Sequence, residues 1–165
     1  AEERDEQAAE STESGDSRSL TILRAVAGVG GVGMAGSYLL TWVTVVGTES
    51  ETIAAGDRAI AAGEIHLLPA VVAALGVIAM VVVAARWTRP AHLTVLLLGI
   101  LGLSVALTIR GFVTSGNPDI RIGGARGPAS AFEPAIGVTL ALVGAALLVA
   151  AGLGAFAGSF DRWPR

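Results

Sequence analysis

The sequence predicts an all-α, polytopic membrane protein, in which a disordered N-terminal tail precedes an antiparallel bundle of four transmembrane helices. Apolar side chains make up 53% of the 165 residues, and charged side chains only 15%. Soluble domains carry about 25% charged residues. The mean hydropathy is +0.68, and the apolar residues are concentrated in four long segments. Together these features exclude a soluble globular domain.

The N-terminal tail, residues 1–19, has seven acidic residues, two arginines and no large apolar side chain. Such a segment cannot bury enough surface to offset its chain entropy, so we expect it to be disordered. Its role is either to solubilise the chain or to bind a partner.

Four apolar segments follow the tail, and each is long enough to cross a hydrocarbon core of about 30 Å as a helix. They cover residues 20–46, 65–85, 91–109 and 134–160. Apart from Arg24 in the first segment, and from His66 and His92 near the starts of the second and third, they contain no Asp, Glu, Lys, Arg or His. Because backbone groups in lipid must be satisfied within the segment, each is predicted to be a helix. The transmembrane domain thus covers residues 20–160, and residues 161–165 form a short tail.

The first segment is the least regular, since several glycines lower its helix propensity. The β-branched stretch that starts at Trp42 could leave the membrane as an extended segment. Trp42, Trp87 and Trp163 stand at segment ends, a position that is typical of tryptophans among lipid headgroups.

The arginines predict the orientation, because positively charged residues favour the cytoplasmic side. Seven arginines belong to the side of the two termini and four to the other side. We therefore expect a multi-pass protein of the cytoplasmic membrane with both termini in the cytoplasm. The loops at about 47–64 and 111–129 are then the outer loops.

Small residues at four-residue spacing let transmembrane helices approach closely. The first segment carries such a stripe at Ala27, Gly31 and Ala35. The fourth segment carries a longer one at Ala146, Ala150, Gly154 and Gly158, with Gly137, Ala141 and Ala145 on a nearby stripe. These stripes predict contact between the first and fourth helices, within one chain or at an interface with another chain.

One polar cluster is predicted at the outer membrane boundary, from Glu64, His66, Arg110 and Glu133. Carboxylates with a histidine can bind a divalent metal or relay a proton. The same residues can equally form an interfacial ion-pair network that anchors helix ends.

The sequence lacks several residue types that transport or catalysis within the bilayer would need. Proton pumps and voltage sensors keep ionisable groups within the bilayer, and the segment interiors have none. The chain has no cysteine, and its two histidines, His66 and His92, are predicted on opposite membrane faces. We therefore expect no catalytic residues, cofactor site or metal site, and a net charge of −3 gives no reason to expect nucleic-acid binding.

Two stretches carry a resemblance to known proteins. They are GSYLLTWVTV from Gly36 to Val45 and the glycine-punctuated run IGVTLALVGAALLVAAG from Ile136 to Gly152. Over residues 20–160 the chain resembles small four-span membrane proteins of high-GC bacteria and halophilic archaea, including the tryptophan-associated transmembrane family. The resemblance implies an architecture and no particular activity.

The function expected from these features is that of an accessory or assembly subunit in the lipid bilayer. It would act through helix–helix and outer-loop contacts with a membrane-protein partner or as a homo-oligomer. The alternative is a small oligomeric channel or carrier for a small solute, with Ser37, Thr41, Ser104 and Thr108 lining a polar path.

Overall fold

A computed structural model describes residues 2–46, 58–61, 65, 67–85, 87–115, 120–122 and 125–160. It contains four long helices, which are α1 (Glu2–Ser37), α2 (Leu67–Ala84), α3 (Arg89–Val113) and α4 (Ile136–Phe160). Five short strands are also present, β1 (Thr41–Val45), β2 (Arg58–Ala61), β3 (Ile120–Ile122), β4 (Ala125–Gly127) and β5 (Phe132–Pro134), with a 3-10 turn at Ala129–Ala131.

The structure confirms the all-α, four-helix bundle. Each helix contacts the next along the chain, and α4 contacts α1, which closes the ring. Segments of 20, 18, 25 and 23 residues in the four helices are long and apolar enough to cross a membrane. Large apolar side chains such as Val29, Val81 and Leu97 are more than half exposed on the outer surface. An apolar belt of this kind would be unstable in water. The chain is therefore a multi-pass membrane protein.

The first helix differs from its predicted bounds at both ends. It begins at Glu2, where the sequence predicts a disordered tail over residues 1–19. Alanine, glutamate and glutamine are good helix formers, and extending an existing helix requires no new nucleation. At 36 residues it is about 54 Å long, which exceeds the thickness of the hydrocarbon core.

The first helix also ends at Ser37 and not at residue 46. The chain turns over residues 38–40 and continues as β1, as the β-branched stretch at Trp42 had suggested. Since β1 pairs antiparallel with both β2 and β5, these residues gain sheet hydrogen bonds that a longer helix would forgo. Helix α4 correspondingly starts at Ile136 and not at residue 134, because Phe132–Pro134 belongs to the sheet.

A three-stranded sheet in the order β2-β1-β5 covers one end of the bundle. Val43 pairs with Ile60 on one side and with Pro134 on the other. The pairing brings together chain regions on both sides of the α2–α3 hairpin. A second ladder joins β3 to β4. The described parts of the two predicted outer loops thus lie at the same end of the bundle.

Candidate functional site

Only half of the predicted outer polar cluster can be located. Glu64 and His66 lie outside the described residues. Arg110 is exposed in the last turn of α3, where a cation interacts favourably with the helix dipole. Glu133 is exposed on β5, opposite Thr44 of β1, and β5 contacts α3. Within the described ranges, neither Arg110 nor Glu133 takes part in an ion pair.

Metal binding and interfacial anchoring are the two alternatives for this cluster, and no metal site is expected. Among the described residues, no group of three or more His, Cys, Asp or Glu side chains is placed to hold a metal ion. The exposed positions of Arg110 and Glu133 are compatible with interfacial anchoring.

Trp42 connects the sheet to the bundle. Its ring is fully buried, so the predicted place among lipid headgroups is wrong for this tryptophan. The indole Nε1 donates a 2.7 Å hydrogen bond to the carbonyl of Ser37, at the end of α1. Gly137 makes room for the ring, because a Cβ at this position would lie 2.6 Å from Trp42 Cδ1 and 2.7 Å from the Thr41 carbonyl oxygen. The ring therefore joins the end of α1 to the start of α4.

Helices α1 and α4 are in contact as predicted, but they approach through Gly30 and Gly144 and not through the predicted Ala27–Gly31–Ala35 stripe. A Cβ on Gly30 would lie 2.7 Å from the Gly144 carbonyl oxygen, and a Cβ on Gly144 would lie 2.7 Å from the Gly30 carbonyl oxygen. Neither position can accept a larger side chain without moving a backbone. Met34, which is fully buried, fills the adjacent space beside Gly144 and Gly102 of α3.

The predicted stripe of α1 packs against α2. Ala27 is fully buried, and a Cβ on Gly31 would lie 3.0 Å from the Gly76 carbonyl oxygen. A Cβ on Gly76 would lie 2.6 Å from the backbone nitrogen of Ala35. Helix α1 thus presents Gly30 to α4 and the Ala27–Gly31–Ala35 stripe to α2.

The longer stripe of α4 faces outward. Ala146, Ala150, Gly154 and Gly158 are all exposed, so their predicted role in packing within the bundle is wrong, apart from a contact of Gly154 with Leu23 of α1. Successive residues of an α-helix are about 100° apart around its axis, so Ala146 starts its stripe on a different side of α4 from the buried Ala145. The nearby predicted stripe, Gly137, Ala141 and Ala145, is buried in the bundle, and so are Gly144, Leu148, Ala151, Gly152 and Ala155.

A second polar contact joins α1 to the end of α2. Arg24 donates from Nε to the Val83 carbonyl at 2.8 Å, and from Nη2 to the carbonyls of Ala84 and Ala85 at 3.1 and 3.0 Å. The last carbonyls of a helix lack partners within the helix. Arg24 therefore caps α2 from a neighbouring helix. The signal in the sequence is a single arginine within an otherwise uncharged segment.

His92 and Trp87 form an unusual pair at the same end of the bundle as Arg24. The His92 side chain is 5% exposed, and its ring centroid lies 4.8 Å from that of Trp87. Both ring nitrogens of His92 and the indole Nε1 of Trp87 are buried and have no hydrogen-bond partner in the part of the chain that the structure describes. The sequence predicts His92 at one membrane face, but no pattern in the sequence predicts that its side chain is buried.

The hydroxyl groups proposed to line a polar path do not share one surface. Ser37 is fully buried and donates to the Met34 carbonyl, whereas Thr41 is half-buried at the start of β1. Ser104 and Thr108 are exposed on α3 and donate to the carbonyls of Ile100 and Ser104. Such local hydrogen bonds satisfy a hydroxyl group in lipid without a water-filled path.

Comparison with known proteins finds no family model that matches the chain and no similar protein among the curated ones.

Proposed function

We propose that this four-span membrane protein acts as an accessory or assembly subunit, which binds another membrane protein through an outer helix face and through its outer loops. The proposal includes the predicted placement in the cytoplasmic membrane with both termini in the cytoplasm, and it assigns no enzymatic step. We also propose that the chain shares the architecture of the small four-span proteins of the tryptophan-associated family, as the resemblance implies.

The outward face of α4 carries the proposal. Ala146, Ala150 and Gly158 are exposed, and a Cβ on Gly158 would meet no atom of the described residues within 4 Å. Small residues on a lipid-facing surface let a neighbouring helix approach closely, and helix association in membranes depends on such packing. This face is therefore suited to a transmembrane helix of a partner.

Apolar side chains fill the interior of the bundle, which supports an accessory role over transport of a solute through a single chain. Met34, Val72, Val95 and Leu148 are fully buried, and they come from all four helices. Ser37 and His92 are the buried polar side chains among the described residues. A channel would therefore need an oligomer, in which Ser104 and Thr108 face one another between copies.

Copurification of the full chain from gently solubilised native membranes tests the proposal. Ala150→Leu adds bulk to the outward face of α4, and Ala74→Leu adds the same bulk to an exposed position of α2. We expect a stoichiometric membrane protein to copurify with the wild type and with Ala74→Leu, and to be lost from Ala150→Leu.

Two outcomes would contradict the proposal. Copurification that is identical for both variants would contradict the role of the α4 face. Recovery of the chain only as a self-oligomer that makes liposomes permeable to a small solute would favour the channel and overturn the accessory role.

A further inference from the structure

Arg24 carries a charge that its hydrogen bonds do not neutralise. Its partners are three backbone carbonyls at the end of α2, which supply partial negative charge but no carboxylate. A guanidinium group has five N–H donors. The bonds occupy Nε and Nη2, which leaves the two N–H groups of Nη1 without a partner among the described residues.

These bonds also fix the guanidinium in one place. Three contacts of 2.8–3.1 Å hold it against the last turn of α2, so little side-chain entropy remains to be lost when an anion binds. Charge-assisted hydrogen bonds from the two N–H groups of Nη1 can hold a phosphate oxygen while Nε and Nη2 stay on the carbonyls.

A groove of about 440 Å³ runs along the bundle surface from this arginine, between α1 and α2. Arg24 and Thr21 lie at one end, and Val32 and Met80 lie farther along. From residue 21 to residue 32 the helix rises about 16 Å. This length matches the depth of one leaflet, which is half of a hydrocarbon core of about 30 Å.

Gly28 keeps the middle of the groove open. Among the described residues, a Cβ at this position would have only Val83 Cγ1 within 4 Å, at 3.9 Å. The space is therefore not closed by neighbouring side chains. It is lined mainly by apolar residues and is suited to a hydrocarbon chain.

We propose that this groove binds an anionic phospholipid, with the phosphate on Arg24 and one acyl chain along Gly28 towards Val32. Charge complementarity at one end and the apolar lining over one leaflet's depth select this occupant over a protein helix. Basic sites between transmembrane helices recognise anionic headgroups in this way. The inference goes beyond the proposed accessory function and does not depend on it.

Native mass spectrometry of the detergent-purified full chain tests the site, with dioleoyl phosphatidylglycerol and dioleoyl phosphatidylcholine supplied in equal amounts. Each basic residue near anionic lipid contributes about 1 kcal/mol, which corresponds to about a five-fold preference. We expect the wild type to retain phosphatidylglycerol about five-fold over phosphatidylcholine. Arg24→Gln removes the charge and should abolish this preference.

Gly28→Leu fills the groove and leaves the bonds of Arg24 intact, so it tests the site if Arg24→Gln does not fold. We expect it to lose the preference as well. Gly36→Leu is the matched control on the same helix, because a Cβ there meets no described atom within 4 Å, and it should retain wild-type lipid binding.

Equal retention of the two lipids by the wild type would overturn the proposal. So would a Gly28→Leu variant that binds phosphatidylglycerol as Gly36→Leu does. Displacement of the bound lipid by inorganic phosphate at the same concentration would show that the anion binds without the groove, which also contradicts the site.

Discussion

Gly30 of α1 and Gly144 of α4 bring two helix backbones into direct contact, since a Cβ on either residue would lie 2.7 Å from the carbonyl oxygen of the other. In lipid no hydrophobic force drives helices together, and dispersion contacts between closely packed backbones replace it. The pair therefore sets the separation of the first and last helices. This contact holds the ring of four helices closed.

Gly30→Ala should destabilise the bundle, because the added methyl group must displace a backbone and not a flexible side chain. Overpacking of this kind costs about 1–3 kcal/mol. Gly36→Ala is the control on the same helix, since its Cβ meets no atom within 4 Å, and a better helix former should leave stability unchanged or raise it. Unfolding in detergent measures both, and equal stability of the two variants would refute the close contact.

Trp42→Phe should lower the free energy of unfolding by about 0.5–1.5 kcal/mol, because it removes the 2.7 Å bond to the Ser37 carbonyl, which keeps its 3.1 Å bond from the Leu40 backbone N–H. Trp87→Phe is the matched variant, because the indole Nε1 of Trp87 has no partner among the described residues. We expect this second variant to be as stable as the wild type. A larger loss at Trp87 than at Trp42 would contradict the assignment of Trp42 as the link between α1 and α4.

His92→Leu should leave the protein as stable as the wild type or stabilise it by up to about 2 kcal/mol. The reason is that burial of an unsatisfied polar group costs about 1–3 kcal/mol, and both ring nitrogens of His92 are buried without partners. His92→Gln keeps a polar group at the site and should show no gain. Thermal unfolding of both variants in the same detergent checks this, and a marked loss for His92→Leu would reveal a partner of the imidazole.

Single cysteines should report the orientation, since the chain has none of its own. Thr88 and Ser115 are exposed at opposite ends of α3. A membrane-impermeant maleimide should label Ser115→Cys in intact cells, and it should label Thr88→Cys only after permeabilisation. The reverse pattern would place both termini outside the cytoplasm and reject the orientation inferred from the arginines.

The candidate sites were only partly predictable from the sequence. Arg24 stands out as a single charge, but its bonds to Val83, Ala84 and Ala85 join positions about 60 residues apart. The burial of His92 likewise depends on neighbouring elements. Arg110 was correctly expected at a helix end, because an uncharged apolar run has to end where a charge can reach water.

The sequence by itself determined the number and approximate extent of the apolar helices, because the thickness of the hydrocarbon core and the need to satisfy the backbone in lipid are local constraints. The tertiary structure decided the end of α1, since Thr41–Val45 gains its sheet partners from β2 and β5, far along the chain. It also decided which small residues face a neighbour. A spacing pattern is repeated on several sides of an alanine- and glycine-rich helix, and only the positions of the other helices select the side that is buried.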